Sequence, residues 1–336
     1  MNLGKVTRIF IIGGGQSCAD LVEIASSYNI EVMVLTSPRH AAENLDFGSG
    51  KSMNFEEVLV KSEVKYLISS EFEPTEITDF FGELQNTFFI SLGAAWIFKE
   101  SHLQGFFQNK LFNLHGTRLP HFRGGGGFSW QILTRNRFGF ITLHLVDSGI
   151  DTGPIVLQRE FLYPSNCRLP IEFEKHFGLE RRSFFKELCN SILTSDFILT
   201  LNHQQEYFST YWPRLNTKIN SWIDWGNSPY ELEAFICAFD DPYPGAQTYL
   251  NETKVFIKKV SINLQDGLFH PYQAGIIYRV SKNWICVSLN SGAIIIETVL
   301  DEKGNDLKGV IRPGDRFTTS PELLANSKIR THYGPE

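Results

Sequence analysis

The chain has 336 residues, 31 Lys+Arg against 37 Asp+Glu, and 42% hydrophobic residues, with 28 phenylalanines dominating the aromatic share. That is enough apolar chain for two packed domains and too much for a disordered one. A net charge of −6 argues against a surface built to grip nucleic acid. No window approaches the ~18 uninterrupted apolar residues of a membrane span.

The opening MNLGKVTRIFIIGGG runs from one short apolar stretch straight into glycines, with no small-residue cleavage site, so it reads as a first strand and not a signal peptide. Cysteines 18, 167, 189, 237 and 286 are odd in number and far apart, and no CxxC occurs. This suits a reduced, cytoplasmic compartment and excludes a disulfide framework or a Cys-based zinc site; no metal is expected.

In chain order, Arg8–Ile12, Glu31–Leu35, Tyr66–Ser69, Thr87–Leu92 and Leu111–Leu114 are short runs rich in Ile, Val, Phe or Leu, separated by stretches long enough for crossover helices. The pattern predicts a mostly parallel, Rossmann-like α/β sheet buried on both faces. Phe138–Val146 and Ile155–Phe161 add two strands, and apolar residues at three- and four-residue spacing predict a long helix from about Pro170 to Ser195. Residues 203–220 are polar, aromatic and proline-interrupted, which reads as a linker between a catalytic domain over 1–202 and a second domain over 221–336. There Ser228-Pro229-Tyr230-Glu231 announces a helix through a capping box, and Asp241-Pro242-Tyr243-Pro244-Gly245 ends it. Strand-like runs at Val255–Val260, Ala274–Val280, Trp284–Leu289 and Ala293–Leu300 predict a small β-barrel or open sheet of OB-fold type.

Gly13-Gly14-Gly15 after the first strand suits a phosphate-binding turn, but Cys18 stands where a third spaced glycine would be, and the second strand ends without an acidic residue for a ribose. A tight turn without dinucleotide is the better reading. The stronger signal is Asn113-Leu114-His115-Gly116-Thr117-Arg118-Leu119-Pro120-His121-Phe122-Arg123-Gly124, followed by His144-Leu145-Val146-Asp147-Ser148-Gly149-Ile150-Asp151-Thr152-Gly153-Pro154. Residues two apart on a strand share a face, so Asn113 and His115 can stand together at the carboxyl end of one. A carboxamide for an oxyanion, an imidazole for protons and a carboxylate beside it are parts suited to acyl transfer. An Asn-x-His alone is a weak signal and reads as a histidine satisfied in a turn.

Together the two motifs resemble the folate-dependent formyltransferases, whose pattern is Asn-[Leu/Ile]-His-x-Ser-Leu-Leu-Pro-x-[Tyr/Phe/Trp]-[Arg/Lys]-Gly followed by a loop ending Asp-x-Gly. The resemblance extends through Tyr211-Trp212-Pro213-Arg214, Ile223-Asp224-Trp225 and Ala238–Ala246. It implies that Asn113 stabilises a tetrahedral intermediate, that His115 is the acid/base and that Asp151 tunes it. It further implies that Ala95, Trp96 and Ile97, with the loop Asp147, Ser148, Gly149, Ile150, line the pocket for N10-formyltetrahydrofolate. The sequence departs from the pattern at Arg118, usually an apolar position, and at the four-glycine run 124–127, where Gly125 replaces an arginine able to contact substrate. Arg118 and Arg123 are therefore candidates for a diphosphate, against a solvent-facing or structural reading of each.

The acceptor follows from charge. Residues 37–60 carry only Arg39 and Lys51 against Glu43, Asp46, Glu56 and Glu57, and residues 211–336 hold 13 Lys+Arg and 14 Asp+Glu. A tRNA binder needs several phosphate-neutralising cations. The expected acceptor is the amine of a nucleotide-linked amino sugar for surface polysaccharide (lipopolysaccharide or O-antigen) synthesis. A methionyl-tRNA formyltransferase and a non-catalytic folate-binding homologue are the alternatives. No membrane partner is expected, tRNA is the less favoured partner, and a homodimer is compatible with the sequence.

Overall fold

The computed structural model describes residues 1–46, 52–125, 127–194 and 197–330. Lys51, Gly126 and Ser195, which figure in the reading above, lie outside them. The chain packs as two compact units, one of residues 1–123, 139–161 and 177–211, the other of residues 124–138, 162–176 and 212 onward. The division expected at residues 202 and 203 follows sequence order, whereas packing draws 124–138 and 162–176 into the second unit.

In the first unit, strands β1 (Arg8–Gly13), β2 (Glu31–Thr36), β3 (Lys65–Ile68), β4 (Thr87–Leu92), β5 (Leu111–His115), β6 (Phe138–Leu145) and β7 (Ile155–Leu162) form one sheet in the order β7-β6-β5-β4-β1-β2-β3. The pairs from β3 to β5 are parallel, and β6 lies antiparallel to β5. Ile9, Phe10, Ile11 and Ile12 are all fully buried, as a strand covered on both faces requires. Helices α1 (Gly15–Ser27), α2 (Phe55–Lys61) and α3 (Pro74–Phe81) fall between the first strands. Asn54 caps α2 through a reciprocal capping box with Glu57. One layer of core is phenylalanine-rich: Phe10, Phe72, Phe81, Phe89 and Phe107 pack with Ile12, Leu35 and Leu111.

Gly13, which ends β1, and Gly14 after it serve packing. Gly13 has φ +144°, and a Cβ there would stand 2.1 Å from the Leu92 carbonyl oxygen; one on Gly14 would stand 2.4 Å from the His40 Cβ. The turn is thus fitted to β4 and to the 37–41 segment.

Helix α4 (Gly127–Leu133) belongs to the second unit, and α5 (Pro170–Ile192) begins there and ends in the first. In its first-unit part, Arg181 is 2% exposed and donates through Nε and Nη2 to Asp20 Oδ2 at 3.1 and 2.7 Å. Arg182 reaches Asp20 Oδ1 at 2.9 Å. This buried network ties α5 to α1.

In the second unit Ser228 and Glu231 form the expected capping box at the start of α6 (Pro229–Ala238). Ser129 Oγ on α4 donates to the Ala238 carbonyl at 2.9 Å, and Arg168 donates to Glu233 and to the Val260 carbonyl, both at 2.6 Å. These bonds between distant stretches of sequence give the unit its composition. Strands β8 (Ala246–Leu250), β9 (Thr253–Asn263), β10 (Ile277–Val280), β11 (Ile285–Leu289), β12 (Gly292–Leu300) and β13 (Phe317–Thr318) form a sheet in the order β10-β11-β12-β9-β8-β13, antiparallel throughout. Its two ends meet at an antiparallel bridge between Ile276 and Arg316, so the sheet curls and closes. The strand expected from Ala274 starts three residues later, because Pro271–Gln273 is a 3-10 turn and Gly275 sits at φ +82°. Helix α7 (Pro321–Asn326) follows the last strand.

Asp20→Ala removes the buried carboxylate that Arg181 and Arg182 both contact. It is expected to lower unfolding free energy by about 3–5 kcal/mol in urea titration.

Candidate active site

Strand β5 carries Asn113 and His115, and its antiparallel register with β6 sets Asn113 directly opposite His144. The Asn113 Nδ2 lies 3.1 Å from His144 Nε2, while His144 Nδ1 lies 2.8 Å from the Leu145 carbonyl oxygen. A carbonyl only accepts, so His144 Nδ1 carries the hydrogen, and Nε2 is the atom to which the Asn113 amide N–H donates. The second amide hydrogen of Asn113 remains for another acceptor.

The loop between β6 and β7 brings in the carboxylate. Asp151 Oδ2 lies 3.6 Å from His115 Nδ1, and its Oδ1 lies 3.5 Å from His144 Nε2. Of the three side chains expected to act together, His115 and Asp151 are therefore side by side, and Asn113 is joined to Asp151 through a second imidazole, His144, at 2% exposure. His115 and Asp151 keep 11% and 15% of their side-chain surface open. On its other edge His115 Nε2 is 2.7 Å from the Phe122 carbonyl oxygen and 2.6 Å from Thr117 Oγ1. Burial is the main cause that pushes the His115 pKa below the usual histidine value; the Asp151 charge and the Phe122 carbonyl pull it up, and His144 adds to the lowering.

Asp151 stands at φ +55°, a left-handed conformation that Asp tolerates better than most residues. Two restraints hold it there. Gly153 lies so close to β6 that a Cβ would be 1.9 Å from the Leu145 carbonyl oxygen. Gln204 Nε2 donates to the carbonyls of Asp151 and Gly153 at 2.8 and 2.7 Å. Gln204 Oε1 in turn accepts from Arg123 Nε and Nη2 at 3.1 and 3.0 Å, and Arg123 Nη1 pairs with Glu206 at 2.7 Å. Arg123 is only 6% exposed, so its guanidinium serves as a strut behind the loop. Arg118 lies with its guanidinium carbon 5.7 Å over the Phe140 ring. Gly125 faces the Arg214 Cβ, which a Cβ of its own would approach to 2.8 Å.

Ala95, Trp96 and Ile97 follow the carboxyl end of β4. Trp96 is anchored, its Nε1 donating to the Ser70 carbonyl at 3.0 Å, and Ile97 is 94% exposed. Asp147, Ser148, Gly149 and Ile150 form an exposed turn in which Asp147 Oδ1 accepts from the Gly149 N–H at 3.1 Å and from Thr152 Oγ1 at 2.5 Å. Four participants lay outside the sequence reading: His144, Thr117, the Phe122 carbonyl and Gln204. For His144 a signal existed, since antiparallel pairing of its strand with Leu111–Leu114 places some residue opposite Asn113. For Gln204, 53 residues from Asp151 and in an irregular segment, there was none.

The family described as Formyl transferase matches residues 7–163, and its C-terminal domain matches residues 216–310. A methionyl-tRNA formyltransferase of Ruminiclostridium cellulolyticum is 26% identical over 213 residues, which span 63% of this chain and 66% of that protein's length. The structure of WlaRD, a sugar 3N-formyl transferase in the presence of dTDP and 5-N-formyl-THF, aligns at TM-score 0.64 and 20% identity, over 89% of this chain and all of that one. An N-formyltransferase from Helicobacter canadensis, in complex with folinic acid and dTDP-3-aminofucose, gives 0.63 and 20%, over 88% and 100%. At these identities the two structures show a shared fold.

Gly153→Ala is expected to force the 146–154 loop off β6, costing about 1–3 kcal/mol of stability by urea titration.

Proposed function

Because the chain belongs to the formyl transferase family, we propose that it moves the formyl group of N10-formyltetrahydrofolate to the amine of a small acceptor, an amino sugar carried on a nucleoside diphosphate. The observation that carries this reading is the placement of His115 and Asp151 3.6 Å apart at a partly open site, with Asn113 linked to Asp151 through His144.

The acceptor nitrogen attacks the formyl carbon and forms the new C–N bond, and the formyl oxygen takes up the negative charge. The free amide hydrogen of Asn113 is directed to that oxygen, in a setting where a fixed donor is worth more than water. His115 takes one proton from the attacking nitrogen and returns it to N10 as the old C–N bond breaks, leaving the formamide and tetrahydrofolate. Asp151 pairs with the imidazolium that exists between these two transfers. Exposed Ile97 and Ile150 supply apolar surface for the pteridine.

Charge supports the sugar acceptor over tRNA. The densest lysine group, Lys254, Lys258 and Lys259, is largely spent within the protein. Lys258 is 9% exposed, pairs with Asp240 and Asp241 and donates to the Tyr243 carbonyl, and Lys254 lies 3.5 Å from Glu302. Little remains there to neutralise a phosphate backbone. A cytoplasmic step in surface polysaccharide synthesis is the setting this acceptor implies.

The test is incubation with N10-formyltetrahydrofolate and a panel of 3- and 4-amino sugar nucleotides, read by mass for one added formyl group, beside initiator methionyl-tRNA at physiological salt. Formylation of the tRNA alone would overturn the sugar reading, and formylation of nothing would overturn the activity. His115→Ala is expected to lower turnover by about a hundred- to ten-thousand-fold with folding kept. Asn113→Ala is expected to raise the barrier by about 3 kcal/mol. The base must be neutral, so the His115 limb of kcat/KM should rise with pH through a pKa below the usual histidine value, separate from the limb of the acceptor amine. Asp151 raises that pKa, so in the residual activity of Asp151→Asn the acidic limb should move to still lower pH.

A further inference from the structure

Three heavy atoms beside His115 form a closed triangle. Nε2 lies 2.6 Å from Thr117 Oγ1 and 2.7 Å from the Phe122 carbonyl oxygen, and those two oxygens are 2.7 Å apart. Only certain protons satisfy it. The Phe122 oxygen has no hydrogen, and the Thr117 hydroxyl has one. If Nε2 were bare, the hydroxyl could serve either the nitrogen or the carbonyl, and a nitrogen lone pair would face an oxygen lone pair at 2.7 Å. If Nε2 carries hydrogen, the carbonyl accepts from both neighbours and Oγ1 offers a second acceptor to the N–H. Within this triangle the second arrangement gains a hydrogen bond and removes a repulsion at 2.7 Å, whereas the Nδ1 it leaves bare meets the nearest Asp151 oxygen only at 3.6 Å, beyond hydrogen-bond distance.

We propose that Nε2 of His115 stays an N–H through the reaction and that Nδ1, the nitrogen facing Asp151, is the one that gains and loses the proton, with Thr117 as the positioning residue that holds the ring in this setting. Thr117 is itself held. Its carbonyl accepts from Thr142 Oγ1 at 2.9 Å, and Thr142 Oγ1 accepts from Gln158 Nε2 at 2.9 Å. The Phe122 carbonyl is set by a turn in which the Phe122 N–H donates to the Arg118 carbonyl at 2.8 Å, while Thr210 N donates to Pro120 O at 3.2 Å. The titratable groups facing the ring are Asp151, at 3.6 Å from Nδ1, and His144, its ring centre 6.3 Å away.

The proton balance follows. A hydrogen leaves the acceptor nitrogen for Nδ1, and the imidazolium so formed carries N–H on both edges, one at Asp151 and one at the Phe122–Thr117 pair. Nδ1 then gives the same hydrogen to N10, and the ring returns to the tautomer from which it began. Burial keeps the resting ring neutral, so the pairing with Asp151 is realised only while the proton is aboard.

The assignment of roles in turnover rests on the proposed formyl transfer; the tautomer does not, so the two are tested separately. In protein carrying 15N-labelled histidine, long-range proton–nitrogen correlation above the His115 pKa should show the Nε2–H tautomer, identified by loss of its signals in His115→Gln. The Nδ1–H tautomer would overturn the proposal. Thr117→Ala should speed exchange of the Nε2 hydrogen with water by about tenfold and lower kcat by about tenfold at unchanged KM, with Thr117→Ser restoring both. Wild-type kcat and exchange in Thr117→Ala would remove Thr117 from its role. If no amine is formylated but the Nε2–H tautomer is seen, the function falls and the ring assignment stands; if formylation occurs on an Nδ1–H ring, the reverse holds.

Discussion

A carboxylate between two imidazoles is the arrangement on which the rest of the site depends, and it exists only because one loop is made to turn back on its own strand. Asp151 adopts a left-handed backbone, Gly153 lies against the Leu145 carbonyl where no side chain fits, and Gln204 bonds the carbonyls of both. None of these features touches a reacting atom. Together they hold a charged group at 15% exposure beside His115, where the reduced solvent screening makes its interaction stronger than on an open surface.

The same loop shows how a sheet edge becomes chemistry. Parallel strands end in a row, and β5 contributes a carboxamide and an imidazole from that row. The antiparallel β6 then supplies what a parallel neighbour would not, a residue directly opposite Asn113 whose ring accepts one of its two amide hydrogens. Fixing one hydrogen orients the other. The amide is therefore held in one orientation, as the proposed donation to a developing charge requires.

Much of this was legible from residues alone, because local chemistry and local structure agree. The parallel strands announce themselves as unbroken apolar runs, and Ser228 with Glu231 marks a helix start that the structure realises bond for bond. Asn113, His115 and Asp151 could be named from their motifs. What stayed hidden depends on tertiary contact. Arg123 reads either as a diphosphate ligand or as a solvent-facing or structural arginine; its guanidinium faces Gln204 and Glu206, both in an irregular segment some 80 residues on, which periodicity cannot register. The interleaving of 124–138 and 162–176 with the C-terminal half is hidden for the same reason: it is made by bonds such as Ser129 to Ala238, which leave no trace in spacing.

The closure of the second unit's sheet through Ile276 and Arg316 has a bearing on association. The N–H groups of Ile277 and Phe317 are satisfied across that seam by Asp315 and Gly275, and Gln247 on β8 is paired from outside by Ser221 and Ile223. At these positions the ladder presents no free rung for a strand from another molecule to extend. Surface change at these positions therefore acts through side chains and leaves the backbone pairs beneath in place.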